Sequence, residues 1–458
     1  MRYDSPFACF VSGHEGDDTA SLVLQRDKWP QVDVPLAAAC IESRRKLRSK
    51  CPRWAAEDIF CPLPLSAEQG SSEAAARYKA SVAMALLQRR LPAGGPGCIA
   101  GSTGESLPSG ESWRIADLTG GLGVDSAAFA TAGAEVLYNE MKAELCEAAE
   151  HNFKALGLNV AISGVEVDAS SVSALLEGFR PDLVFIDPAR RSTSGSKVFR
   201  LEDCSPNVLD FHKSLLEAGI PLMLKLSPMA DISALRSALG CVSEVHIVQV
   251  GGECKELLLL LEPGFGAECA LTVTNLAGDG EHSLRLALSG NGAHFDAEKT
   301  GGNGAPLEAG QVAGGVKCCS TLPGEGDLLF EPGKALMKAG VWAELTGRYP
   351  LRAFGSDAHL FICGKSNGDD ISLDAEQALS TLLPFGSLYR ICEVFPFDKA
   401  GIKRIGADYP RCEILARGIP MTSEELRRRS GTLSGGEMRI FALGSKTLGR
   451  HILVCRAV

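Results

Sequence analysis

The stretch of sequence that decides the fold is Asp117-Leu118-Thr119-Gly120-Gly121-Leu122-Gly123-Val124-Asp125, which follows the mostly apolar run 113–116. A strand that ends in an acid, followed by a glycine turn and a helix, is typical of nucleotide binding, because glycines let the backbone approach a ligand and helix-end amides face it. A second element, Asp187-Pro188-Ala189-Arg190-Arg191, follows the apolar run 183–186. We expect both elements at the carboxyl edge of one parallel sheet, where ligands of α/β folds bind.

Two further strands are predicted between these elements, and each ends in an acid. Residues 136–140 end in Glu140, and residues 165–168 end in Asp168. The four elements, in this order and spacing, resemble the class I S-adenosylmethionine-dependent methyltransferases over residues 113–262. The resemblance implies an α/β fold with a seven-stranded Rossmann-like sheet, whose last two strands would be 245–250 and 257–261, the final one antiparallel. It also implies S-adenosyl-L-methionine as the cofactor.

The same resemblance gives the conserved elements of the family their roles in this chain. The first motif would hold the methionine end of the cofactor through Asp117, Thr119, Gly120, Gly121 and Gly123. Glu140 would bind the ribose hydroxyls, and Asp168 would accept from the adenine amino group. Two other interpretations of the glycine turn stay open: a dinucleotide site with Glu140 as its ribose acid, and an ordinary strand-to-helix turn. The first is less favoured, because Ala127 and Ala128 stand near the place of its third glycine.

The Asp-Pro element lies where nucleic-acid methyltransferases carry an Asp-Pro-Pro-Tyr or Asp-Pro-Pro-Arg motif. Methyl transfer depends largely on positioning the acceptor, and the Asp187 carboxylate and the Pro188 carbonyl would accept the hydrogen of an exocyclic amine. Arg190 is the third catalytic candidate. Asp187 could instead only cap the strand end. Because the motif's aromatic residue is missing, the substrate would be bound by Arg190, Arg191 and Lys225, with Arg190 stacking on a base or gripping a phosphate.

A base nitrogen is the favoured acceptor. Attack by carbon 5 of a pyrimidine needs a cysteine nucleophile, which related families keep after the fifth strand. The corresponding segment here, residues 225–229, has none, and Cys204 is interpreted as a buried helix residue. The Gly-Leu-Gly-x-Asp form of the first motif is also similar to that of a guanine N2 methyltransferase of ribosomal RNA, which favours guanine.

Composition favours a cytoplasmic protein. The 458 residues, of which 45% are hydrophobic, can fill two or three cores. No apolar run reaches the roughly 20 residues of a membrane span, and the first residues carry no signal-peptide core. The sixteen cysteines form no Cys-x-x-Cys pair and the eight histidines have no ligand spacing, so we expect reduced thiols and no metal.

The net charge of −10 argues against indiscriminate binding to nucleic acid. The basic residues are nevertheless clustered at 44–50, 190–191 and 427–429. Each cluster alone is more typical of a solvated helix face. Three clusters on a chain with this predicted core favour a nucleic-acid substrate.

Four segments are predicted. Residues 1–110 form an N-terminal helical region, with helices at 34–50 and from 71 onward, where a serine and an early glutamate predict a cap. Residues 111–263 form the methyltransferase domain, and 264–326 a glycine-rich linker or insertion. Residues 327–458 form an α+β domain that starts with a helix at 331–337.

The tail from 389 to 456 predicts a β-α-β-α-β-β order, which resembles the small THUMP-like, ferredoxin-like domains beside some RNA methyltransferases. That resemblance implies binding of structured RNA; a general α+β accessory or dimerisation domain is the alternative. Our hypothesis is an S-adenosylmethionine-dependent methyltransferase of ribosomal or transfer RNA. The alternatives are a methyltransferase of a small molecule or protein, and a non-catalytic RNA-binding or assembly protein that keeps the cofactor fold.

Overall fold

The computed structural model of the protein describes residues 3–90, 112–190, 200–278, 280–288, 315–355, 358–364 and 373–458. Backbone contacts divide the chain into two compact units, Met1–Val245 with Glu256–Ala267 and His246–Lys255 with Glu268–Val458. The N-terminal helices therefore share one unit with the predicted methyltransferase sheet. Within the described ranges, no helix has both the length and the apolar character needed to cross a membrane.

The N-terminal part of the first unit is helical, as the sequence predicts. Its helices are α1 (Ser5–Gly13), α2 (Thr19–Leu24), α3 (Val34–Lys50), α4 (Pro52–Ala56), α5 (Pro64–Gln69) and α6 (Glu73–Arg89). The two predicted helices are α3 and α6. Ser72 caps α6, because its hydroxyl accepts a hydrogen bond from the Ala75 N–H at 3.3 Å.

Strands and helices then alternate. In chain order they are β1 (Arg114–Asp117), α7 (Val124–Thr131), β2 (Glu135–Asn139), α8 (Ala143–Ala155), β3 (Val160–Ser163), α9 (Ser171–Glu177), β4 (Leu183–Ile186), β5 (Ala189–Arg190), β6 (Cys204–Ser205), α10 (His212–Glu217), β7 (Leu222–Leu226), α11 (Ile232–Leu239), β8 (Val242–Val250) and β9 (Glu253–Leu261).

Seven of these strands lie side by side in the order β8-β9-β7-β4-β1-β2-β3. Strands β1, β2, β3, β4 and β7 pair in parallel, and β9 pairs with β7 antiparallel. This arrangement confirms the predicted sheet, including its antiparallel final strand. Strand β4 is buried at all four residues, as expected for a parallel sheet that is covered on both faces. Because Asp117 pairs with Phe185, β1 and β4 end at the same edge.

The third predicted strand was wrong in position. It was expected at 165–168, whereas β3 ends at Ser163 and pairs with β2 up to Asn139. The side chain of Asn139 then holds Val165 in a loop: Nδ2 donates to the Val165 carbonyl at 2.9 Å, and Oδ1 accepts from the Val165 N–H at 3.0 Å. The alternation of valine and acid at 165–168 indicates a strand, but these side-chain hydrogen bonds replace a strand ladder.

The second unit consists of a hairpin and a second sheet with helices. Its elements are β10 (Cys269–Ala277), β11 (Gly280–Leu288), β12 (Leu328–Pro332), α12 (Lys334–Ala339), α13 (Trp342–Arg348), β13 (Arg352–Ala353), β14 (Phe361–Cys363), α14 (Leu373–Ser380), β15 (Gly386–Pro396), α15 (Lys399–Asp408), β16 (Glu413–Arg417), α16 (Ser423–Ser430), β17 (Met438–Ser445) and β18 (Gly449–Ala457). The second sheet has the order β13-β14-β12-β15-β18-β17-β16.

One expectation for this region needs correction. Within the segment 264–326, the predicted linker or insertion, β10 and β11 form an antiparallel hairpin that pairs Cys269 with Leu288 and continues the sheet beyond β8, in the order β11-β10-β8. A helix was expected to start at 331, but Glu331 and Pro332 end strand β12, and α12 begins at Lys334. Pro332 pairs with Gly386 of β15 at the end of β12, so its presence did not require a helix start.

The tail confirms the predicted β-α-β-α-β-β order as β15-α15-β16-α16-β17-β18. Helix α16 starts with a capping box between Thr422 and Glu425. Within the arginine triplet that follows, Arg427 donates to the Cys412 carbonyl at 2.9 Å and pairs with Glu413 at 3.0 Å, whereas Arg428 and Arg429 are exposed. One member of the basic cluster is therefore structural and two face solvent.

Candidate active site

A cavity of about 220 Å³ lies at the carboxyl edge of β1, β2 and β4. Five of the seven predicted cofactor residues line it, and so do Asp187 and Ala189 from the Asp-Pro element. The N-terminal helical region contributes a further part of the lining that sequence reasoning missed. The lining residues used below are Ser66, Gln69, Gly70, Ser71, Thr119, Gly120, Gly121, Gly123, Asp125, Glu140, Val165, Glu166, Val167, Asp187, Ala189, Ser205 and Pro206.

The glycine loop is packed against aromatic rings. A Cβ on Gly120 would lie 2.1 Å from the ring of Tyr138, and a Cβ on Gly123 would lie 2.9 Å from the ring of Phe153. Gly123 also has a φ of +91°, which favours glycine. The Tyr138 hydroxyl donates to the Gly121 carbonyl at 2.6 Å. Glycine is therefore required at these positions by close approach and by backbone conformation.

Asp117 is fully buried beneath this loop and does not line the cavity. Its Oδ1 accepts from the Thr119 N–H at 3.1 Å, and its Oδ2 accepts from the Ser126 hydroxyl at 2.6 Å. Burial raises the pKa of Asp117 to about 7, against the lowering effect of the Ser126 hydrogen bond. In this geometry Asp117 joins Thr119 of the loop to Ser126 of α7, and its direct contact with the cofactor stays a prediction.

Glu140 lines the cavity at the end of β2. Its carboxylate accepts from the Gly121 N–H at 3.1 Å and from the Lys142 N–H at 3.0 Å. Both bonds hold the carboxylate beside the glycine loop. A carboxylate has about four acceptor sites, so Glu140 keeps acceptors for ligand hydroxyl groups.

Asp168 occupies a different environment from that of Glu140. Its carboxylate is exposed, and its Oδ1 accepts from the N–H groups of Ser170 and Ser171, both at 2.8 Å, at the start of α9. Hydrogen bonds from Ser170 and Ser171 lower the pKa of Asp168 to about 2. The cavity wall at this point consists of Val165, Glu166 and Val167 instead, and the adenine contact of Asp168 stays a prediction.

Asp187 joins the glycine loop to the part of the cavity that the Asp-Pro element lines. Its N–H donates to the Thr119 hydroxyl at 2.6 Å. Its side chain is 36% exposed, and Oδ2 forms an ion pair with the Lys225 ammonium. Burial lowers the pKa of Lys225, but the facing carboxylate of Asp187, helped by Glu256 and Asp125, raises it above its ordinary value. Lys225 is therefore a cation that pairs with Asp187, and its predicted contact with the substrate stays a prediction.

The rest of the Asp-Pro element runs along the edge of the cavity. Pro188 is buried and Ala189 is exposed. Strand β5 pairs antiparallel with β6, so that Arg190 faces Cys204. Cys204 is buried as expected, but it lies in a strand and not in a helix. The Arg190 side chain and the whole of Arg191 lie outside the described part of the chain, and their roles stay predictions.

A buried ion cluster beside the cavity was not foreseen. Lys79 of α6 is fully buried, and its ammonium lies 3.1 Å from Asp125 Oδ1 and 2.9 Å from Glu256 Oε1. The Ser71 hydroxyl accepts from Lys79 at 2.9 Å and donates to Asp125 Oδ2 at 2.8 Å. The sequence contains a signal for this cluster, since Lys79 has apolar neighbours three and four positions away on both sides, at Ala75, Ala76, Val82 and Ala83. This spacing places Lys79 on the buried face of the helix. A fully buried lysine is almost always paired, so it indicates a buried acid nearby.

Comparisons with known proteins agree with this architecture. A THUMP domain-like family model matches residues 386–457, which comprise β15 to β18. A Porphyromonas gingivalis W83 protein described as a candidate methyltransferase is similar in structure, with a TM-score of 0.74 and 23% identity over 100% of both chains. No curated protein sequence matches this chain.

Two weaker structural similarities cover only part of the chain. A ribosomal protein L11 methylase of Lactobacillus delbrueckii subsp. bulgaricus has a TM-score of 0.26 and 14% identity over 40% of this chain and 77% of its own. A Thermus thermophilus 16S rRNA N2 G1207 methyltransferase has a TM-score of 0.25 and 20% identity over 32% of this chain and 37% of its own. The fold is thus shared over the full length with the P. gingivalis protein, and the chain combines a methyltransferase fold with a C-terminal THUMP domain-like segment.

Proposed function

We propose that this protein transfers a methyl group from S-adenosyl-L-methionine to a base nitrogen of structured ribosomal or transfer RNA. The observation that carries the proposal is the position of Asp187, whose N–H binds Thr119 of the glycine loop at 2.6 Å while its half-exposed carboxylate lies at the cavity. A hydrogen-bond acceptor directly beside a nucleotide-binding loop is what an amine acceptor requires.

The cavity fits the cofactor in shape and charge. Gly120 and Gly123 line the cavity without a side chain, so their backbone can lie close to a ligand. The charged residues that line the cavity are four acids and one base, which suits a cationic ligand. They are Asp125, Glu140, Glu166 and Asp187 against Lys142. When bound, the cofactor supplies a methyl group on a sulfonium. In this chain Glu140 would hold its ribose, and the glycine loop would hold its amino-acid end.

The acceptor side can activate an amine without a covalent step. Lys225 fixes Oδ2 of Asp187, and no described residue donates to Oδ1. Oδ1 can therefore accept a hydrogen from an exocyclic amine, and the Pro188 carbonyl would accept the second. Both bonds raise the nucleophilicity of the nitrogen and orient its lone pair. The proton that the nitrogen loses is taken by the Asp187 carboxylate or by water.

The C-terminal domain would bind the RNA. Its resemblance to THUMP-like domains implies that it binds a structured RNA. Helices α15 and α16 of this domain lie in close contact, because a Cβ on Gly406 would be 1.9 Å from the Ser430 carbonyl oxygen. Both helices carry exposed cations, Lys399 and Lys403 on α15 and Arg428 and Arg429 on α16. Such cations can neutralise phosphates in a salt-dependent way.

The decisive experiment measures transfer of radiolabelled methyl from S-adenosylmethionine into total RNA from cells that lack this protein. Total protein and small-molecule fractions are the matched controls. Label in a discrete ribosomal or transfer RNA band is the expected result. Label only in protein or small molecules would support the second candidate function, methylation of such an acceptor, which the net charge of −10 favours. Cofactor binding with no labelled fraction would support a non-catalytic RNA-binding role.

A further inference from the structure

The N-terminal helical region forms one wall of the cavity. The end of α5 and the turn to α6, together called the α5–α6 turn, contribute Ser66, Gln69, Gly70 and Ser71 to the lining. This turn lies more than forty positions before β1 in the chain. The cavity is therefore incomplete without a segment that precedes the methyltransferase sheet.

Ser71 ties this wall to the glycine loop. Its hydroxyl donates to Asp125 Oδ2 at 2.8 Å, and Asp125 lies in the first turn of α7, directly after the loop. The same hydroxyl accepts from Lys79 Nζ at 2.9 Å. One hydroxyl group thus links the wall, the start of α7 and α6.

Buried Lys79 holds the hydrogen bond between Ser71 and Asp125 in place. Its ammonium is 3.1 Å from Asp125 Oδ1 and 2.9 and 3.1 Å from the two oxygens of Glu256 in β9. Asp125 and Glu256 are both buried, and without a cation between them they would repel each other. Breaking a buried pair leaves an uncompensated charge, so the arrangement of Ser71 and Asp125 depends on Lys79.

The position of the wall indicates which part of a ligand it meets. In the proposed function, Glu140 would hold the ribose of the cofactor. The adenine of the cofactor, predicted near Asp168, would lie next to the ribose at the cavity wall 165–167. The acceptor side consists of Asp187, Ala189, Ser205 and Pro206. Beside the glycine loop, the lining also includes Ser66, Gln69, Ser71 and Asp125, which offer hydroxyl, amide and carboxylate groups. These groups suit the charged amino-acid end of the cofactor.

We propose that the α5–α6 turn binds the amino-acid end of S-adenosylmethionine, and that Lys79 is a positioning residue that sets this wall through Ser71 and Asp125. This inference rests on the proposed cofactor. It assigns the N-terminal helical region to cofactor binding, a role that the sequence analysis did not predict.

The test compares the binding of S-adenosylhomocysteine and 5′-methylthioadenosine by calorimetry, since the second ligand lacks the amino-acid end. Lys79→Met should weaken S-adenosylhomocysteine binding by about tenfold or more, because a buried pair is broken. Ser71→Ala should weaken it by about fivefold, the effect of one hydrogen bond. Neither variant should change the affinity for 5′-methylthioadenosine. Circular dichroism checks that each variant folds, and Ser71→Ala carries the test if Lys79→Met does not fold.

Arg89→Met is the matched control. Arg89 is on the same helix and pairs with Glu244 and Glu262, both at 2.5 Å, but it does not line the cavity. The Arg89→Met variant should bind both ligands with unchanged affinity. Three results would overturn the inference. Arg89→Met could lose as much affinity as the test variants, or the test variants could lose affinity equally for both ligands. Folded Lys79→Met and Ser71→Ala could also bind S-adenosylhomocysteine normally. If the unchanged protein itself binds no S-adenosylhomocysteine, the proposed function fails and the inference fails with it.

Discussion

The two sides of the cavity are built in different ways. On the glycine-loop side, which we propose as the cofactor side, Gly120 and Gly123 pack against aromatic rings, and Asp117 is buried with both carboxylate oxygens hydrogen-bonded. On the other side, which we propose as the acceptor side, Asp187 is 36% exposed and is held by one ion pair with Lys225. The cofactor side is thus fixed by internal packing, while the acceptor side keeps a polar group open to a second ligand. Binding and transfer should therefore be separable by mutation.

Gly120→Ala should have the largest effect, because the new Cβ would lie 2.1 Å from the Tyr138 ring. Overpacking of this kind costs up to about 3 kcal/mol, which corresponds to about 100-fold in affinity, so we expect calorimetric binding of S-adenosylhomocysteine to fall by about that factor. Gly178→Ala is the control, since Gly178 has a helical φ of −71° and no atom within 4 Å of the added Cβ. Normal binding by Gly120→Ala would contradict a packed cofactor side.

Asp187→Ala should reduce methyl transfer about 100-fold, the usual size of a lost acid–base or acceptor group, while S-adenosylhomocysteine binding stays unchanged. Transfer of radiolabelled methyl to the identified RNA measures the effect. The double variant Asp187→Ala/Lys225→Met removes both charges of the pair and so separates the lost acceptor from an unpaired lysine. Full transfer by both variants would remove Asp187 from the mechanism.

Glu140→Gln should weaken cofactor binding by about 10- to 100-fold, because a hydrogen bond to a charged group contributes about 1.5–3 kcal/mol. The variant keeps the size of the side chain that accepts from Gly121. Glu135→Gln is its control, at the exposed start of the same strand, where Glu135 pairs with Arg114 at 3.4 Å. Equal S-adenosylhomocysteine affinity in both variants would exclude a ribose contact by Glu140.

Asp117→Asn should change the pH dependence of folding stability. Burial raises the pKa of Asp117 from 3.8 to about 7, so the folded protein binds this proton more tightly than the unfolded chain does. This proton therefore stabilises the fold below pH 3.8, and its contribution is lost as the pH rises to about 7. The free energy of unfolding in urea should fall less steeply over this range in Asp117→Asn. Identical slopes in variant and unchanged protein would show that Asp117 is not titrating there.

Local signals determined which elements could be predicted. Strands β1 and β4 follow from apolar runs that end in an acid, and α16 follows from the Thr422–Glu425 capping box, since all of these depend on neighbouring residues. The position of β3 could not be predicted, because the side chain of Asn139, 26 positions before Val165, decides it. The same limit applies to the ion pair of Lys79 and Glu256, which are 177 positions apart. Sequence patterns of short range contain no information on such partners.

The separation of Lys79 from Glu256 also has a consequence for protein synthesis. At about 5–20 residues per second, on the order of ten to thirty seconds pass between the translation of these two residues. During that time the lysine lacks one of its two buried carboxylate partners, so α6 cannot settle into its final place when it first emerges from the ribosome. The cofactor cavity would then close only after β9 has been made, and a nascent chain that stops short of that strand would be a target for chaperones.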